Sequence, residues 1–394
     1  MTHPPASPTA AGPAAAGPGA YVIGVDSGGS GLRVALGRVG LPGPLATTVC
    51  AEPVRTGPGG IDAGHLLDQL LPAARELLER AAESSADGAP AGEDEAPVGE
   101  DEAPVGEVAA LAIGAAGMAT LGERLRAELP GALAYALGVR RLALAADAVT
   151  AYAGAVGQRP GAVVAGGTGM IALGTDLMEW HRADGWGHLL GDSGGGAWIG
   201  RAGLDAAMRA HDGRRGGSPA LLDRLRAVFG PADELPGLLY PRSDRPAVLA
   251  SFAPEVAACA GADPVAAGIL RAAAGHIAEA AAAVCPTAAR PAAAEPDDGG
   301  DELGEGGEVA LTGGLFRMGE PLLAPLREEL AHLLPGARVT SAEGDPLTGA
   351  LRIARALAAG DLRLPRHPTM LFVPLEHATA QRVGTAARDE PRSG

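Results

Sequence analysis

Lysine is missing from this sequence, and all 31 basic side chains are arginine. Two classes of enzyme need a lysine. A P-loop protein places one on its nucleotide phosphates, and a Schiff-base enzyme uses the lysine amine as its nucleophile. Neither class fits this chain, so any phosphate site here works without a lysine, and backbone amides and a magnesium ion can provide the charge neutralisation.

Cysteine is also scarce. The three cysteines, Cys50, Cys259 and Cys285, lie far apart and form no Cys-x-x-Cys pair, so we expect neither a disulfide framework nor a zinc site. Residues 1–20 lack the basic start and the apolar core of a secretory signal. No apolar run is long and bulky enough to span a bilayer. We therefore expect a soluble, reduced, cytoplasmic protein.

Positive charge is in short supply, because the formal net charge is −16. Nucleic acids and membrane surfaces need a basic face on their protein partner, so we predict no nucleic-acid partner and no membrane partner. A small anionic ligand held by backbone amides stays compatible with this charge. The 394 residues, 47% of them hydrophobic, allow one large domain or two of ordinary size.

Glycine, in contrast, is abundant, and three apolar strands each lead into a glycine-rich corner. Residues 21–27 predict a strand and 32–39 its hairpin partner. The segment 161–169 (GAVVAGGTG), followed by 170–174 (MIALG), repeats this arrangement, and 309–316 (VALTGGLF) contains the third corner. The duplication predicts two similar α/β halves that face each other across a cleft.

Other segments show the spacing of helices or the composition of buried strands. Further strands are predicted over 108–117, 141–147 and 337–341. Helices are predicted over 63–83, 196–210, 219–229, 320–333 and 346–359, and two more over 247–285 with a break near 261–264.

The domain organisation follows from these elements. We predict two α/β domains over 20–150 and 151–375, between a disordered segment 1–19 and a loose tail 376–394. The final helix, 346–359, is expected to pack on the N-terminal domain.

Two polar insertions interrupt the predicted domains, at 85–107 and 288–307. The first contains the heptapeptide GEDEAPV twice in tandem, at 92–98 and 99–105. Two copies are too few for a solenoid, and their acidic composition is typical of a solvated loop.

The glycine corners suit phosphate groups. Glycine lets the backbone approach a ligand closely and turns amide N–H groups toward it. Asp26, at the end of the first strand, can reach a magnesium ion, usually through water. A single corner is equally typical of an ordinary hairpin turn. Three such corners in one chain predict a nucleotide site, with one corner for the β-phosphate, one for the γ-phosphate and one for the nucleoside.

Asp147 lies where a predicted strand gives way to a helix. Aspartate is among the best N-cap residues, so a capping role is the plain interpretation. A carboxylate at this position can also act as the general base that accepts a proton from an attacking hydroxyl. The two roles are compatible, because a helix start would fix the position of the carboxylate.

The stretch 184–200 (DGWGHLLGDSGGGAWIG) places two of the three tryptophans among seven glycines. An aromatic ring beside mobile backbone suits the flat face of a sugar, and Asp192 can accept hydrogen bonds from hydroxyl groups. The plain alternative is a flexible loop with Trp198 in the core. His188 is interpreted as structural rather than catalytic.

At these residues the chain resembles a known family. The segments VDSGGSGLRVAL, LAADAVTAYAGAVG, VVAGGTGMIALG, GWGHLLGDSGGGAWIG, LTGGLF and DPLTGALRIA occur in one order. Together they resemble the N-acetylglucosamine kinase and hydroxyacyl-CoA dehydratase activator ATPase family, of the actin–hexokinase–Hsp70 superfamily. The resemblance covers about residues 21–360 without the insertions. It implies two actin-like (ribonuclease H-like) α/β domains flanking an ATP-binding cleft.

The resemblance also implies roles for single residues. Asp26 would lie near Mg²⁺ and Asp147 would be the catalytic base. The residues implied to bind ATP are Gly28, Gly29, Ser30, Gly167, Thr168, Gly169, Gly313 and Gly314. Those implied to bind the sugar are Gly185, Trp186, Gly187, Asp192 and Met170.

The implied function is an ATP-dependent kinase that phosphorylates a hydroxyl, the 6-hydroxyl in the family pattern, of an amino sugar, with N-acetylglucosamine favoured. Three positions depart from that pattern: Gly59 replaces an asparagine, Met170 a serine and Ser193 a glutamate. All three are on the acceptor side, so ATP use is better supported than this particular sugar.

Two alternatives stay open, a sensor that binds a sugar or nucleotide without turnover and a dehydratase-activating ATPase. The latter needs an iron–sulfur cluster held by cysteines between two subunits. A homodimer is expected from the resemblance alone.

Overall fold

The protein is built on two β-sheets. The computed structural model describes residues 15–17, 19–28, 31–57, 60–86, 108–118, 122–286 and 307–374. The first sheet contains β1 (Tyr21–Gly28), β2 (Gly31–Arg38), β3 (Ala46–Cys50), β6 (Val108–Ala115), β7 (Arg141–Ala146) and β13 (Leu371–Phe372). The second contains β8 (Gly161–Gly166), β9 (Met170–Thr175), β10 (Trp180–Asp184), β11 (Glu308–Thr312) and β12 (Arg338–Ser341). Strands β4 (Thr56–Gly57) and β5 (Gly60–Ile61) form a small hairpin.

The two sheets repeat one topology. The first has the order β13-β7-β6-β1-β2-β3 and the second β10-β9-β8-β11-β12. In each, an antiparallel hairpin is followed by two parallel strands, β6 and β7 beside β1, and β11 and β12 beside β8. The central strands are apolar on both faces because helices cover both sides of a parallel sheet. The predicted duplication of an α/β unit is confirmed.

Helices cover the sheets. Within the described residues they are α1 (Ala63–Ala86), α2 (Glu123–Leu137), α3 (Asp147–Ala155), α4 (Gly196–His211), α5 (Pro219–Phe229), α6 (Leu235–Leu239), α7 (Arg245–Ser251), α8 (Ala253–Cys259), α9 (Pro264–Val284), α10 (Glu320–Leu333) and α11 (Pro346–Ala359). Short 3₁₀ turns span Ala232–Glu234 and Gly314–Met318. Ser218, Asp263 and Asp345 cap α5, α9 and α11, each followed by a proline at the first helical position.

Helix α11 packs on the first sheet although it follows the second along the chain. A Cβ on Gly24 of β1 would lie 2.5 Å from the backbone nitrogen of Leu351, and a Cβ on Gly349 would overlap the carbonyl oxygen of Thr150 in α3. Strand β13 then pairs with β7, Phe372 opposite Leu144. The stretch after β12 therefore completes the first sheet and its helix layer, whereas the predicted boundary assigned it to the C-terminal domain.

The predicted elements differ from the structure in several places. Sequence patterns missed β3, β10, β13 and α2. The stretch 247–285 belongs to three helices rather than two, because Pro254 lies at the start of α8 and cannot extend α7. The segment 1–14, the acidic repeat 92–105, residues 287–306 and the tail 375–394 lie outside the described residues.

No single helix in the described part of the chain is long and apolar enough to cross a membrane. One pair, Arg245–Cys259 with Pro264–Val284, meets the length and composition criteria together, and it is bent by 119° at the break.

Candidate active site

The carboxyl ends of the parallel strands bring the predicted site residues together. Asp26 lies near the end of β1, and Asp147 follows directly after β7. On the second sheet, the corners that contain Gly167 and Gly313 follow β8 and β11, which are hydrogen-bonded neighbours. Ligands of open α/β sheets bind at such strand ends. The structure therefore gathers at two sheet edges what the sequence distributes over almost 300 residues.

Asp26 is held by an arginine that the sequence analysis did not single out. Arg33, opposite Asp26 in the β1–β2 hairpin, donates two hydrogen bonds to Asp26 Oδ2, of 3.0 Å from Nε and 2.6 Å from Nη2. Its Nη1 donates a bond of 2.6 Å to Asp345 Oδ2, at the start of α11. Among the described residues, none hydrogen-bonds the other Asp26 oxygen, Oδ1. One carboxylate oxygen is thus fixed and the other is free for a ligand.

The glycine corners differ in what surrounds them. At Gly28, Gly167 and Gly314 an added Cβ would have no atom within 4 Å, so this backbone faces open space. Gly313 has a φ of 100°, and a Cβ there would overlap the carbonyl oxygen of Gly166. The backbones of the second and third corners are therefore in direct contact. Gly29 and Ser30, predicted to bind phosphates, lie outside the described residues.

The second corner is tied to the start of α4. Gly167 N–H donates to the carbonyl of Gly169 (2.9 Å), and the amides of Gly196 and Ala197 donate to the carbonyls of Gly167 (2.9 Å) and Thr168 (2.8 Å). These bonds orient the corner relative to the helix. Thr168 is exposed, so its hydroxyl is accessible from solvent.

Asp147 is the first residue of α3 and does not cap it. The N-cap is Ala146, whose backbone keeps the extended conformation of β7 (φ −62°, ψ 148°). The capping interpretation is therefore wrong. Asp147 Oδ1 accepts a hydrogen bond of 2.8 Å from the amide of Ala148. This bond leaves the other carboxylate oxygen available.

The environment of Asp147 suits a general base. The residue is exposed to solvent, although neighbouring protein atoms partly desolvate its carboxylate. This desolvation raises the pKa of Asp147, and the negative charge of Asp26 raises it further; the amide of Ala148 and the charge of Arg182 oppose both effects. A raised pKa makes the carboxylate a stronger proton acceptor.

On the predicted sugar side, the loop 185–191 connects Asp184 to Asp192. This loop is called the acceptor loop below. Asp192 Oδ1 accepts a bond of 3.2 Å from the amide of Gly187. A Cβ on Gly169 would overlap Asp192 Oδ2, so the loop end touches the second glycine corner. Burial raises the pKa of Asp192, and the charge of Asp184 adds to this shift, although the amide of Gly187 opposes it.

Trp186 presents its ring to solvent, with 61% of the residue exposed. The guanidinium of Arg182 lies 4.3 Å from the centre of the ring, in cation–π geometry. Arg182 also donates to two carbonyls, at 3.0 Å to Asp184 and 2.5 Å to Gly185. The positively charged guanidinium thus covers one face of the indole ring. The exposed part of the ring offers a platform for an apolar sugar face.

Met170 differs from its expected role. Its side chain is 2% exposed and belongs to the core under the second sheet, so it cannot contact a ligand in the cleft. Its backbone instead lies beside the carboxylate of Asp192, whose pKa it lowers. Trp198 packs on the same core and meets the ring of His276 edge-on at 5.1 Å, in agreement with its interpretation as a core residue.

Four residues of this site were missed by sequence reasoning: Arg33, Arg182, Asp184 and Asp345. Arg33 had a signal, since a predicted hairpin places it across from Asp26. The other three act through contacts between distant segments, or with loop backbone, which no spacing rule encodes.

A sequence profile of the BadF/BadG/BcrA/BcrD ATPase family matches residues 23–353, which is most of the chain. The chain belongs to this family. The match contains all three glycine corners, Asp147 and the acceptor loop. The family's name describes its members as ATPases, in agreement with the open glycine backbone at the strand ends.

A comparison of this chain with a single curated protein agrees with the family assignment. An N-acetylmuramic acid/N-acetylglucosamine kinase of Clostridium acetobutylicum is 33% identical over 108 residues, covering 27% of this chain and 34% of the relative. The chain thus matches about a third of that relative's length.

Two solved structures share the fold. A protein of Chromobacterium violaceum described as a candidate N-acetylglucosamine kinase has a TM-score of 0.56 at 29% identity, covering 84% of this chain and 98% of its own. A similarly described protein of Porphyromonas gingivalis has a TM-score of 0.55 at 15% identity, covering 84% and 97%. The expected two-domain actin-like fold is confirmed.

Proposed function

We propose that this protein is an ATP-dependent sugar kinase that transfers the γ-phosphate of ATP to a hydroxyl, the 6-hydroxyl by preference, of an amino sugar, with N-acetylglucosamine as the first candidate. One observation carries the proposal. The exposed carboxylate of Asp147, at the carboxyl end of β7, is close enough to Asp26 on the predicted phosphate side and to Arg182 on the predicted acceptor side for its charge to interact with both. A base in that place can reach an acceptor hydroxyl beside the transferred phosphate.

ATP would lie against the glycine corners. The backbone at Gly28, Gly167 and Gly314 faces open space, as a phosphate cradle requires. Asp26 fits a magnesium ion, because Arg33 holds one carboxylate oxygen and leaves the other free, and Mg²⁺ in kinases takes one or two carboxylates together with the phosphates. When bound, the ion would neutralise phosphate charge.

The chain's own residues would divide the remaining work. Asp147 accepts the proton of the attacking hydroxyl as its oxygen forms the bond to the γ-phosphorus, while the bond to the β-phosphate bridging oxygen breaks and ADP leaves. Trp186 supports one face of the sugar, and Asp192 accepts hydrogen bonds from its hydroxyls. Positioning and charge neutralisation supply most of the acceleration in this chemistry, so the lack of lysine is no obstacle.

The relatives support the choice of an amino sugar. The names of the Clostridium relative and of the Chromobacterium structure both contain N-acetylglucosamine. The match to the Clostridium relative is partial, so the choice of the acceptor sugar is based on the site and on the Chromobacterium structure. A homodimer and a cytoplasmic location stay predictions.

The test is ADP release with Mg-ATP and a panel of N-acetylglucosamine, glucosamine, N-acetylmuramate and common hexoses. We expect one amino sugar to raise ADP release well above the rate without sugar, and phosphorus NMR of the product to show a 6-phosphate. ATP and sugar binding without turnover would instead indicate a sensor. An iron–sulfur absorption band after anaerobic purification would indicate a dehydratase activator.

A further inference from the structure

Asp184 joins the two ends of the acceptor loop. Its Oδ1 accepts a hydrogen bond of 2.6 Å from the amide of Asp192, and its Oδ2 accepts one of 2.9 Å from the amide of Ser193. Both carboxylate oxygens are therefore engaged by backbone on the far side of a seven-residue loop. Charge-assisted bonds of this length are the strong kind.

We propose that Asp184 is a positioning residue that holds the acceptor loop in the shape that receives the sugar. This inference rests on the proposed function and assigns a residue to the acceptor side of it. Asp184 itself does not have to touch the ligand. It acts through Asp192 and Trp186, which it places.

The backbone of the loop supports this role. Asp184 has a φ of 59° and Asp192 a φ of 55°, in the left-handed region where residues other than glycine are uncommon. The two bonds from the Asp184 carboxylate stabilise this conformation at both ends. Gly191 is also required, because a Cβ there would overlap Asp184 Oδ1. The loop end is thus shaped around this one carboxylate.

The two hydrogen bonds to the Asp184 carboxylate, called the clamp below, also position the groups proposed to contact the sugar. With its amide fixed by Asp184, Asp192 directs one carboxylate oxygen to the amide of Gly187 and the other toward Gly169 in the second corner. At the near end, Arg182 holds the carbonyls of Asp184 and Gly185 and supports the ring of Trp186. Loss of the Asp184 carboxylate would free Asp192, whereas the phosphate corners keep their own bonds.

The chain contains a matched control at the other end of the same hairpin. Asp176 lies in the turn between β9 and β10, and its Oδ1 accepts bonds from the amides of Met178 (2.8 Å) and Glu179 (3.2 Å). Asp184 lies five residues beyond the end of this turn at Glu179, about 16 Å at strand spacing. The two aspartates thus make the same kind of bond in the same hairpin, and only one of them is beside the acceptor loop.

The experiment compares Asp184→Gly, Asp184→Asn and Asp176→Gly with the wild type. Glycine tolerates the left-handed φ, so Asp184→Gly removes the carboxylate without adding backbone strain. Asparagine also tolerates this region and keeps one acceptor oxygen. Steady-state kinetics give KM for the sugar that stimulates the wild type and KM for ATP. Hydrogen exchange reports on the peptide that contains residues 185–195.

We expect Asp184→Gly to raise the acceptor KM about tenfold or more, from the loss of two charged hydrogen bonds, while KM for ATP stays within about twofold. Asp184→Asn should be intermediate, and Asp176→Gly should leave both constants unchanged. Exchange at 185–195 should accelerate in Asp184→Gly but not in Asp176→Gly.

Equal effects of Asp184→Gly and Asp176→Gly on the acceptor KM would refute the clamp and leave the kinase proposal intact. An equal rise in both KM values of Asp184→Gly would also refute it, as general damage. If no sugar stimulates the wild type, the proposed function is wrong and the acceptor role of the clamp fails with it.

Discussion

Replacement of Asp147 by asparagine should stop catalysis without harming the fold. Asparagine keeps an Oδ1 that can accept the 2.8 Å bond from the amide of Ala148. The N-cap of helix α3 is Ala146, so the replacement leaves the cap unchanged. The variant therefore removes the negative charge and, with it, the capacity to accept a proton.

The size of the loss follows from that role. A positioned general base contributes about 10²- to 10⁴-fold to rate, which is about 3–5 kcal/mol of the activation free energy. We expect kcat to fall at least about a hundredfold in Asp147→Asn. KM for ATP should stay within about twofold, because the glycine corners do not use the Asp147 side chain.

The stability of the same variant has a predicted sign. Desolvation and the charge of Asp26 raise the pKa of Asp147 in the folded protein. Ionisation of this carboxyl group therefore costs more free energy in the folded protein than in the unfolded chain. The contribution of the protonated group to stability is fully present below the unfolded pKa of about 3.9, and it is lost as pH rises through the folded pKa. Asparagine has no charge to lose. At pH 8 the Tm of Asp147→Asn should equal that of the wild type or exceed it by about 2 °C at most, because the site is accessible to solvent. This difference in Tm should become smaller toward pH 5.

The assay is coupled ADP release at saturating ATP and sugar, with thermal unfolding of both proteins at pH 5 and pH 8. A kcat within tenfold of the wild type would refute Asp147 as the base. A Tm clearly below the wild type at pH 8 would refute the electrostatic description of the site, since it would show that the charge stabilises the folded state.

Two glycine predictions test the backbone packing. Gly349→Ala should lower Tm by several degrees, because its Cβ would overlap the carbonyl oxygen of Thr150. Gly275→Ala, in α9, should instead raise stability by about 0.5–1 kcal/mol, because no atom lies within 4 Å of a Cβ at that position. Thermal unfolding of both variants tests this, and equal shifts in Tm would contradict the packing described at Gly349. Gly313→Ala should raise KM for ATP and lower Tm, because its Cβ would overlap the carbonyl of Gly166 at a φ of 100°; unchanged ATP kinetics would show that this corner is not part of the nucleotide site.

Local chemistry made much of the fold predictable. Glycine corners after apolar strands identified β1, β8 and β11, and apolar residues at helical spacing identified helices such as α5 and α11. The misses have a physical cause. The strand Ala46–Cys50 is short and lies at a sheet edge with alternate residues exposed, so it lacks the buried apolar run that identified the other strands. The pairing of Leu371–Phe372 with β7 is a long-range contact that no local pattern contains.

The candidate site was predictable for groups that act alone and not for those that act on one another. Asp26 and Asp147 could be identified because each lies at or near the end of a predicted strand. Asp184 could not, since its function depends on which amides the folded loop brings to it. The buried side chain of Met170 shows the opposite error, because a position can belong to a site through its backbone while its side chain belongs to the core.

This distinction bears on the departures from the family pattern at the acceptor side. Met170 and Ser193 both act through their backbone, because the amide of Ser193 donates to Asp184 Oδ2 and the backbone of Met170 lies beside the carboxylate of Asp192 and lowers its pKa. An amide is kept by any residue other than proline, so these substitutions retain the two contacts that the structure shows at these positions. The third departure, Gly59, lies outside the described residues. If the acceptor differs from N-acetylglucosamine, Gly59 is therefore the first position to substitute, and Gly59→Asn is the variant whose sugar preference should change.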